Sequence, residues 1–184
     1  QNDRVAMHVI RKKLLQLQMA ALELPAEMVM LPVPCDNATY KRLVGGSVKT
    51  LRERGVQRVV FGDLFLEDIR QYRIEQMQGS GLEPLFPLWL RDTKQLSREM
   101  VESGLRAFVT CVDQRVLPAE YVGRQYDHAF LDELPPEVDP CGENGEFHTV
   151  VVDGPMFSEK ISVQIGETVS RGDFVFADVL PGRV

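Results

Sequence analysis

Helical segments and apolar, strand-like segments alternate along the first half of the chain, and this alternation constrains the fold more than any other feature. A helix is predicted at Val5–Leu24, and a buried strand is predicted at Met28–Val33. A helix capped by Asp36 or Asn37 follows, and then a second apolar run at Val56–Phe61. Apolar strands of this kind are typical of parallel sheets covered on both faces. The first half is therefore expected to be an α/β unit with right-handed crossovers.

The second half repeats the helix–strand rhythm once and then becomes rich in β-structure. A third helix at Leu64–Gln78 ends at glycines, and we expect a domain boundary near Gly81, where proline and aromatic residues begin to dominate. The other predicted elements are a helix from Asp92 or Thr93 to Ser103, a strand at Arg106–Val112, a helix at Asp127–Leu134, and strands at Thr149–Val152, Ile161–Ile165 and Phe174–Phe176. The last three predict a small antiparallel or mixed sheet.

Composition and charge exclude several classes of protein. The 184 residues are 44% hydrophobic and 26% charged, as in ordinary globular proteins. A net charge of −6 argues against a general nucleic-acid or acidic-membrane binder. No apolar run approaches the length of a membrane span, and the N-terminus lacks the pattern of a signal peptide. Cys35, Cys111 and Cys141 form no CxxC pair, which favours a reducing cytoplasm over disulfides or a zinc site.

Common catalytic motifs are missing from the sequence. It contains no GxxxxGK[ST], GxGxxG, HExxH or GxSxG segment. A dinucleotide-dependent oxidoreductase or a serine hydrolase therefore finds no support.

The first candidate site follows the strand that ends at Phe61. Ligands of open parallel sheets bind beyond the carboxyl ends of strands, where Asp63 is predicted to lie. If the helix begins at Asp63, then Asp63 and Glu67 share a face, with Arg70 close by. Two carboxylates beside a guanidinium could hold magnesium or orient a polar substrate. The alternative is an N-cap with acidic residues in the first helical turn and a surface ion pair.

The second candidate site is the segment of residues 139–149, which carries the densest set of chemical groups in the chain. Gly142 and Gly145 let a backbone approach a ligand closely. Glu143, Glu146 and His148 could together bind a cation or move a proton. The alternative is a polar turn that leads into a strand.

Three single residues have two readings each. Trp89, the only tryptophan, could stack on a base or ring, although a buried anchor between domains is the more usual role. His8 alone is more often structural than catalytic. Cys111 could be a nucleophile, but core packing is preferred because no partner histidine is near in sequence.

Five segments occur in the order found in one known family. They are VAMH at residues 5–8, VFGD at 60–63, EDIR at 67–70, EPLFPLW at 83–89 and GENGEFHT at 142–149. Together they resemble the diphthine–ammonia ligase (diphthamide synthase) family of PP-loop ATP pyrophosphatases, from about Arg4 to Val163. The last segment is specific because it is long and follows Asp139-Pro140-Cys141.

The resemblance implies an architecture and a reaction. Residues 1–81 would form a parallel-sheet, adenine-nucleotide α-hydrolase-like (Rossmann-like) α/β domain, and residues 82–184 a smaller α+β substrate domain. Such enzymes use ATP and magnesium to adenylate a carboxylate, and ammonia then displaces AMP to leave an amide. In the namesake enzymes the carboxylate belongs to diphthine on translation elongation factor 2.

The resemblance also implies roles for residues. Those implied to be catalytic are Asp63, Glu143, Glu146 and His148, with Asp63 also a magnesium ligand. Those implied to bind the nucleotide are Met7, His8, Gly62 and Asp63. Those implied to bind the substrate are Glu67, Asp68, Arg70, Trp89, Gly142, Asn144 and Gly145.

One departure from the family pattern is large. The family begins with a strand and an SGGKDS-type loop that holds the pyrophosphate end of ATP, and this sequence contains no such loop. We expect that an N-terminal segment is absent from the sequence, because a sheet without its first strands would expose apolar edges. The alternatives are a PP-loop enzyme acting on a small metabolite or tRNA, and a non-catalytic nucleotide-binding relative. A homodimer is compatible with such edges.

Overall fold

The structure, a computed structural model, describes residues 10–32 and 34–182. The chain divides into two compact units. The middle unit is the continuous segment Ala26–Arg91. The split unit joins the segment that ends at Pro25 to the segment that begins at Asp92. The boundary predicted near Gly81 falls inside the middle unit.

Five helices and seven strands are found in the described part of the chain. In chain order they are α1 (Lys12–Ala21), α2 (Asn37–Glu53), β1 (Arg58–Val60), α3 (Glu67–Met77), β2 (Glu83–Leu85), α4 (Thr93–Glu102), β3 (Arg106–Asp113), β4 (Gln125–Tyr126), α5 (His128–Glu133), β5 (Phe147–Asp153), β6 (Val163–Arg171) and β7 (Phe174–Pro181). None of these helices is long and apolar enough to cross a membrane.

The middle unit contains a parallel pair of strands joined through a helix. The β1 strand pairs with β2 in parallel, with Val59 opposite Pro84, and α3 lies between them in sequence. The helix before β1 begins where expected, because the Asp36 carboxylate accepts a hydrogen bond from the Thr39 amide at 2.7 Å. Gly55, with a φ of 90°, follows the end of that helix. This part confirms the predicted mixed α/β character.

Two predicted elements differ from the structure. No strand forms over the described residues 28–32, where Met28 and Met30 are 36% and 57% exposed. An apolar run becomes a strand only where a neighbouring strand satisfies its backbone groups, and these residues pair with none. The first helix begins at Lys12 and ends at Ala21, and Val5 lies outside the described residues.

The split unit is built on an antiparallel sheet of five strands. Central strand β3 pairs with β5, β4 and β7, and β6 pairs with β7. The predicted small sheet is therefore antiparallel, and it includes β3 as well as the three C-terminal segments. Helix α4 is capped as predicted, since the Asp92 carboxylate accepts from the Gln95 amide at 2.8 Å. Asp127 caps α5 in the same way.

Two apolar clusters stabilise the split unit. One surrounds Phe130, which is fully buried and contacts Tyr121, Tyr126 and Phe147 edge-on or tilted. The other joins α1 to the sheet through Ile10, Leu14, Ala21, Val150, Val152, Ile161 and Val179. The aromatic cluster underlies the start of β5, and so it supports the segment of the second candidate site.

Candidate functional site

The first candidate site lies after the carboxyl end of β1. Helix α3 begins only at Glu67, with Leu66 as its N-cap, so Asp63 precedes the helix. The condition for a shared helical face of Asp63 and Glu67, a helix that begins at Asp63, is therefore not met, and Asp63 is not the N-cap either. The chain is non-helical from Phe61 to Leu66, so helical spacing does not apply to Asp63. Gly62 and Asp68 are both exposed.

Arg70 stacks on two aromatic rings of this site. Its guanidinium carbon lies 4.9 Å from the centre of the Trp89 ring and 5.2 Å from that of Phe86. Its Nη1 atom donates to Glu67 Oε1 at 3.2 Å. Trp89 is half-buried within the middle unit, and its contact with a cation is of the kind by which aromatic rings hold guanidinium groups.

Arg73 lies one helical turn further and repeats the arrangement. Its guanidinium lies 5.3 Å from the centre of the Phe61 ring, and its Nε lies 3.9 Å from Asp63 Oδ2. Phe61 stacks on Phe86, with ring centres 5.5 Å apart. We name this set the arginine–aromatic cluster; its members are Phe61, Arg70, Arg73, Phe86 and Trp89. Arg73 was not singled out by sequence, although its spacing from Arg70 places both on one face of a helix.

The arginine–aromatic cluster offers N–H groups that can donate hydrogen bonds. The Nε atoms of Arg70 and Arg73 are buried and have no hydrogen-bond partner among the described residues. Buried donors without partners are costly, and planar guanidinium groups match carboxylate and phosphate oxygens. The cluster can thus receive an anionic group, although Asp63 and Glu67 already offset part of its positive charge.

The described residues form no cluster of carboxylates that would by itself enclose a magnesium ion. They contain no group of three or more histidine, cysteine, aspartate or glutamate side chains that could hold a metal. Asp63, the predicted ligand, instead faces the positive Arg73. Magnesium commonly enters sites with substrate phosphates and one or two carboxylates, so the ion would have to arrive with ATP.

The second candidate site is a closed loop that we name the glycine loop, residues 139–146. Asp139 and Glu146 are 9% and 7% exposed, and each accepts hydrogen bonds from the loop. Glu146 Oε1 accepts from the Asp139 amide at 3.0 Å and from Asn144 Nδ2 at 2.9 Å. Asp139 Oδ2 accepts from the Glu143 amide at 2.9 Å. Two buried carboxylates therefore organise the loop from inside.

Backbone conformation explains the two glycines of this loop. Gly142 and Gly145 have φ values of 69° and 84°, which side chains rarely adopt. A Cβ on Gly142 would also lie 2.8 Å from the Phe147 carbonyl oxygen, whereas one on Gly145 would meet nothing within 4 Å. The loop is thus a specific turn, and Gly142 is its tightest point.

The remaining predicted residues of this site lie around the loop. Asn144 is exposed, and Glu143 is half-buried. His148 is the second residue of β5 and lies opposite Cys111, and its carbonyl oxygen accepts from the Thr110 hydroxyl at 3.2 Å. Glu143, Asn144 and Glu146 therefore come together in one loop. His148 follows that loop on the strand.

Buried groups beside the loop are held in their neutral forms. Burial, with the charges of Asp139 and Glu143, raises the pKa of the Cys141 thiol to about 12. Burial likewise raises the pKa of Cys111 to about 11. Neutral thiols are poor nucleophiles, which agrees with a packing role for Cys111. Tyr126, a residue that sequence did not single out, donates to the Pro140 carbonyl oxygen at 2.8 Å.

Each candidate site lies within one unit. Asp63, Glu67, Arg70 and Trp89 belong to the middle unit, while Glu143, Asn144, Glu146 and His148 belong to the split unit. Met7 and His8, the predicted nucleotide contacts, lie outside the described residues.

Comparison with known proteins gives a family and named relatives. The family of diphthamide synthase C-terminal domains matches residues 92–179, which begins where the split unit resumes. A diphthine–ammonia ligase of Danio rerio is 37% identical over 120 residues, covering 62% of this chain and 47% of the relative. One of Homo sapiens is 32% identical over 138 residues, covering 72% and 52%.

The matched family covers the second candidate site but not the first. The chain spans about half the length of the curated relatives that it matches. The glycine loop falls within the matched domain family. The resemblance predicted from the five sequence segments is thereby confirmed: this chain is similar to the diphthine–ammonia ligases, and its residues 92–179 match their C-terminal domain family.

Proposed function

We propose that the chain belongs to an ATP-dependent ligase that amidates a carboxylate, with a diphthine-bearing elongation factor 2 as the substrate. The relatives at 31–37% identity are named diphthine–ammonia ligases, and this supports the reaction class. The observation that carries the proposal is the glycine loop, whose buried carboxylates and two left-handed glycines give a fixed shape within the matched domain.

The proposed reaction has two steps. The substrate carboxylate attacks the α-phosphorus of ATP, and the bond to pyrophosphate breaks to leave an acyl adenylate. Ammonia then forms a bond to the acyl carbon, AMP departs with the electron pair of the broken carbon–oxygen bond, and the nitrogen releases a proton to solvent. A carboxylate needs this activation because its negative charge and resonance make it a poor acyl donor.

The middle unit is proposed to serve the nucleotide. Asp63 follows β1 at the end of the strand where ligands of parallel sheets bind. The Nε atoms of Arg70 and Arg73, which have no hydrogen-bond partner among the described residues, offer donors to phosphate or carboxylate oxygens. The nucleotide is also proposed to contact Met7, His8 and Gly62. The substrate is proposed to contact Glu67, Asp68 and Trp89.

The glycine loop is proposed to serve the substrate or the ammonia. Asn144 and Glu143 are accessible enough to contact a ligand, whereas Glu146 acts from beneath them. The left-handed φ values of Gly142 and Gly145 fix the backbone of the loop, and His148 follows the loop in β5. Three free cysteines support a reducing cytoplasm as the location.

The test measures AMP and pyrophosphate with the protein at its full natural length. ATP, ammonium and diphthine-modified elongation factor 2 should together yield AMP and an amide, and omission of either ammonium or the factor should abolish the amide. Asp63→Asn should reduce AMP release by at least tenfold, while replacement of the exposed Glu137 by glutamine should not.

Other outcomes separate the alternatives. AMP release with a small metabolite or tRNA, but not with the factor, would move the proposal to another PP-loop substrate. The net charge of −6 disfavours tRNA. Saturable ATP binding with no AMP under any condition would instead make this a nucleotide-binding relative without catalysis.

A further inference from the structure

The two carboxylate oxygens of Glu146 have different surroundings. Oε1 accepts two hydrogen bonds, from the Asp139 amide and from the Asn144 side chain. Oε2 is buried and has no hydrogen-bond partner among the described residues, in a side chain whose residue is only 7% exposed. A buried carboxylate oxygen normally has a donor, so Oε2 points to a donor that is not among the described residues.

The loop around Glu146 carries negative charge. Asp139 is buried beside it, and the Glu143 amide is tied to the Asp139 carboxylate. After burial, these two acids are the causes that raise the pKa of the Cys141 thiol, so the same negative potential is felt at a neighbouring side chain. A cationic donor is therefore favoured over a neutral one.

The chemistry of the loop selects against a divalent metal. The described residues hold no group of three ligating side chains that could bind a metal ion. Asp139 Oδ2 and Glu146 Oε1 are already occupied by loop amides. Among the described residues, Glu146 Oε2 is the buried carboxylate oxygen without a hydrogen-bond partner, and a single acceptor of this kind suits a small monovalent cation with N–H donors.

We propose that Glu146 Oε2 is the ammonium-binding atom of the glycine loop. Oε1 holds the loop in shape, and Oε2 accepts a hydrogen bond from the bound ammonium. Asn144, which is exposed, donates to Oε1 of the same carboxylate and leaves Oε2 without a hydrogen bond from the described residues. This inference rests on the proposed function, because ammonium is the second substrate of that reaction.

The substitution Glu146→Gln separates the structural role of Oε1 from the proposed ammonium-binding role of Oε2. The glutamine oxygen can still accept from Asp139 and Asn144, but its amide group replaces an acceptor with a donor at the Oε2 position. We expect the thermal unfolding midpoint to stay close to that of the original protein. The KM for ammonium should rise at least tenfold, while the KM for ATP stays within twofold. Glu146→Ala should lose loop stability as well.

The control is Glu137→Gln, which removes one exposed carboxylate from the same region. Its KM for ammonium should not change. If Glu146→Gln also leaves the KM for ammonium unchanged, the proposal is overturned, even though the ligase function stands.

A second measurement tests the proposed ammonium site directly and requires no enzyme activity. Rubidium resembles ammonium in charge and size and is located by anomalous diffraction. Crystals soaked in rubidium chloride should show a peak at Glu146 Oε2 that is missing from Glu146→Gln crystals; no peak at that oxygen overturns the site. Absence of any AMP release would overturn the proposed function instead, so the two failures are distinguishable.

Discussion

At the scale of single residues, the two glycines of the glycine loop differ in how many features of the structure require glycine. Gly142 needs a left-handed φ and also lies against the Phe147 carbonyl oxygen, while Gly145 needs only the left-handed φ. The two positions therefore form a matched pair. They share a conformational cost but differ in whether a side chain has space.

Alanine at these two positions should have different effects. Gly145→Ala is expected to lower the free energy of unfolding by about 1 kcal/mol, from the left-handed conformation alone. Gly142→Ala is expected to cost about 3 kcal/mol, because a Cβ contact of 2.8 Å with backbone adds strain. Urea unfolding of both variants checks the difference. Equal losses would mean that the loop relaxes freely around Gly142.

Sequence reasoning predicted these glycines as a group but could not rank them. The GENGE pattern predicted two glycines that let a backbone approach a ligand, and the left-handed φ values of both glycines come from the structure. The clash at Gly142 depends on where Phe147 places its carbonyl oxygen. Likewise, Glu146 was expected to be catalytic, and only the structure reveals that one of its oxygens is occupied by the loop.

At the scale of secondary structure, local signals predicted helix starts well. Helices were expected to begin at Asp36 or Asn37, at Asp92 or Thr93, and near Asp127. In each case the aspartate side chain accepts from a backbone amide in the first turn. Capping is a contact within four residues, so sequence alone contains the needed information. The strand predicted at Met28 failed for the opposite reason, because strands depend on partners far away in sequence.

The cap of α4 provides the corresponding test. Asp92→Ala should lower the free energy of unfolding by about 1 kcal/mol, since the Gln95 amide loses its acceptor. Asp92→Asn keeps a side-chain oxygen and should cost only a few tenths of a kcal/mol. Thermal unfolding monitored by circular dichroism compares them. A similar loss in both variants would argue that the charge, and not the acceptor, stabilises the helix.

At the scale of the whole molecule, the split unit is assembled from two distant parts of the chain. Helix α1 packs Leu14 and Ala21 against the strands that carry Val150 and Val179. Arg11 also pairs with Asp178 through two hydrogen bonds. Sequence reasoning assigned this helix to the first domain, because sequence proximity is the usual guide to contact. The matched domain family begins only at residue 92, so it does not contain α1.

This arrangement makes an N-terminal helix necessary for the stability of the C-terminal sheet. Leu14 is 1% exposed, and Leu14→Ala should lower the free energy of unfolding by about 3 kcal/mol, through lost apolar contact and a residual cavity. Leu24→Ala is the matched control: Leu24 is 66% exposed, and its loss should cost less than about 0.5 kcal/mol. Urea unfolding monitored by far-ultraviolet circular dichroism measures both. If the two variants lose equally little, α1 does not contribute to the core that Val150 and Val179 form, and the sheet must be stable without it.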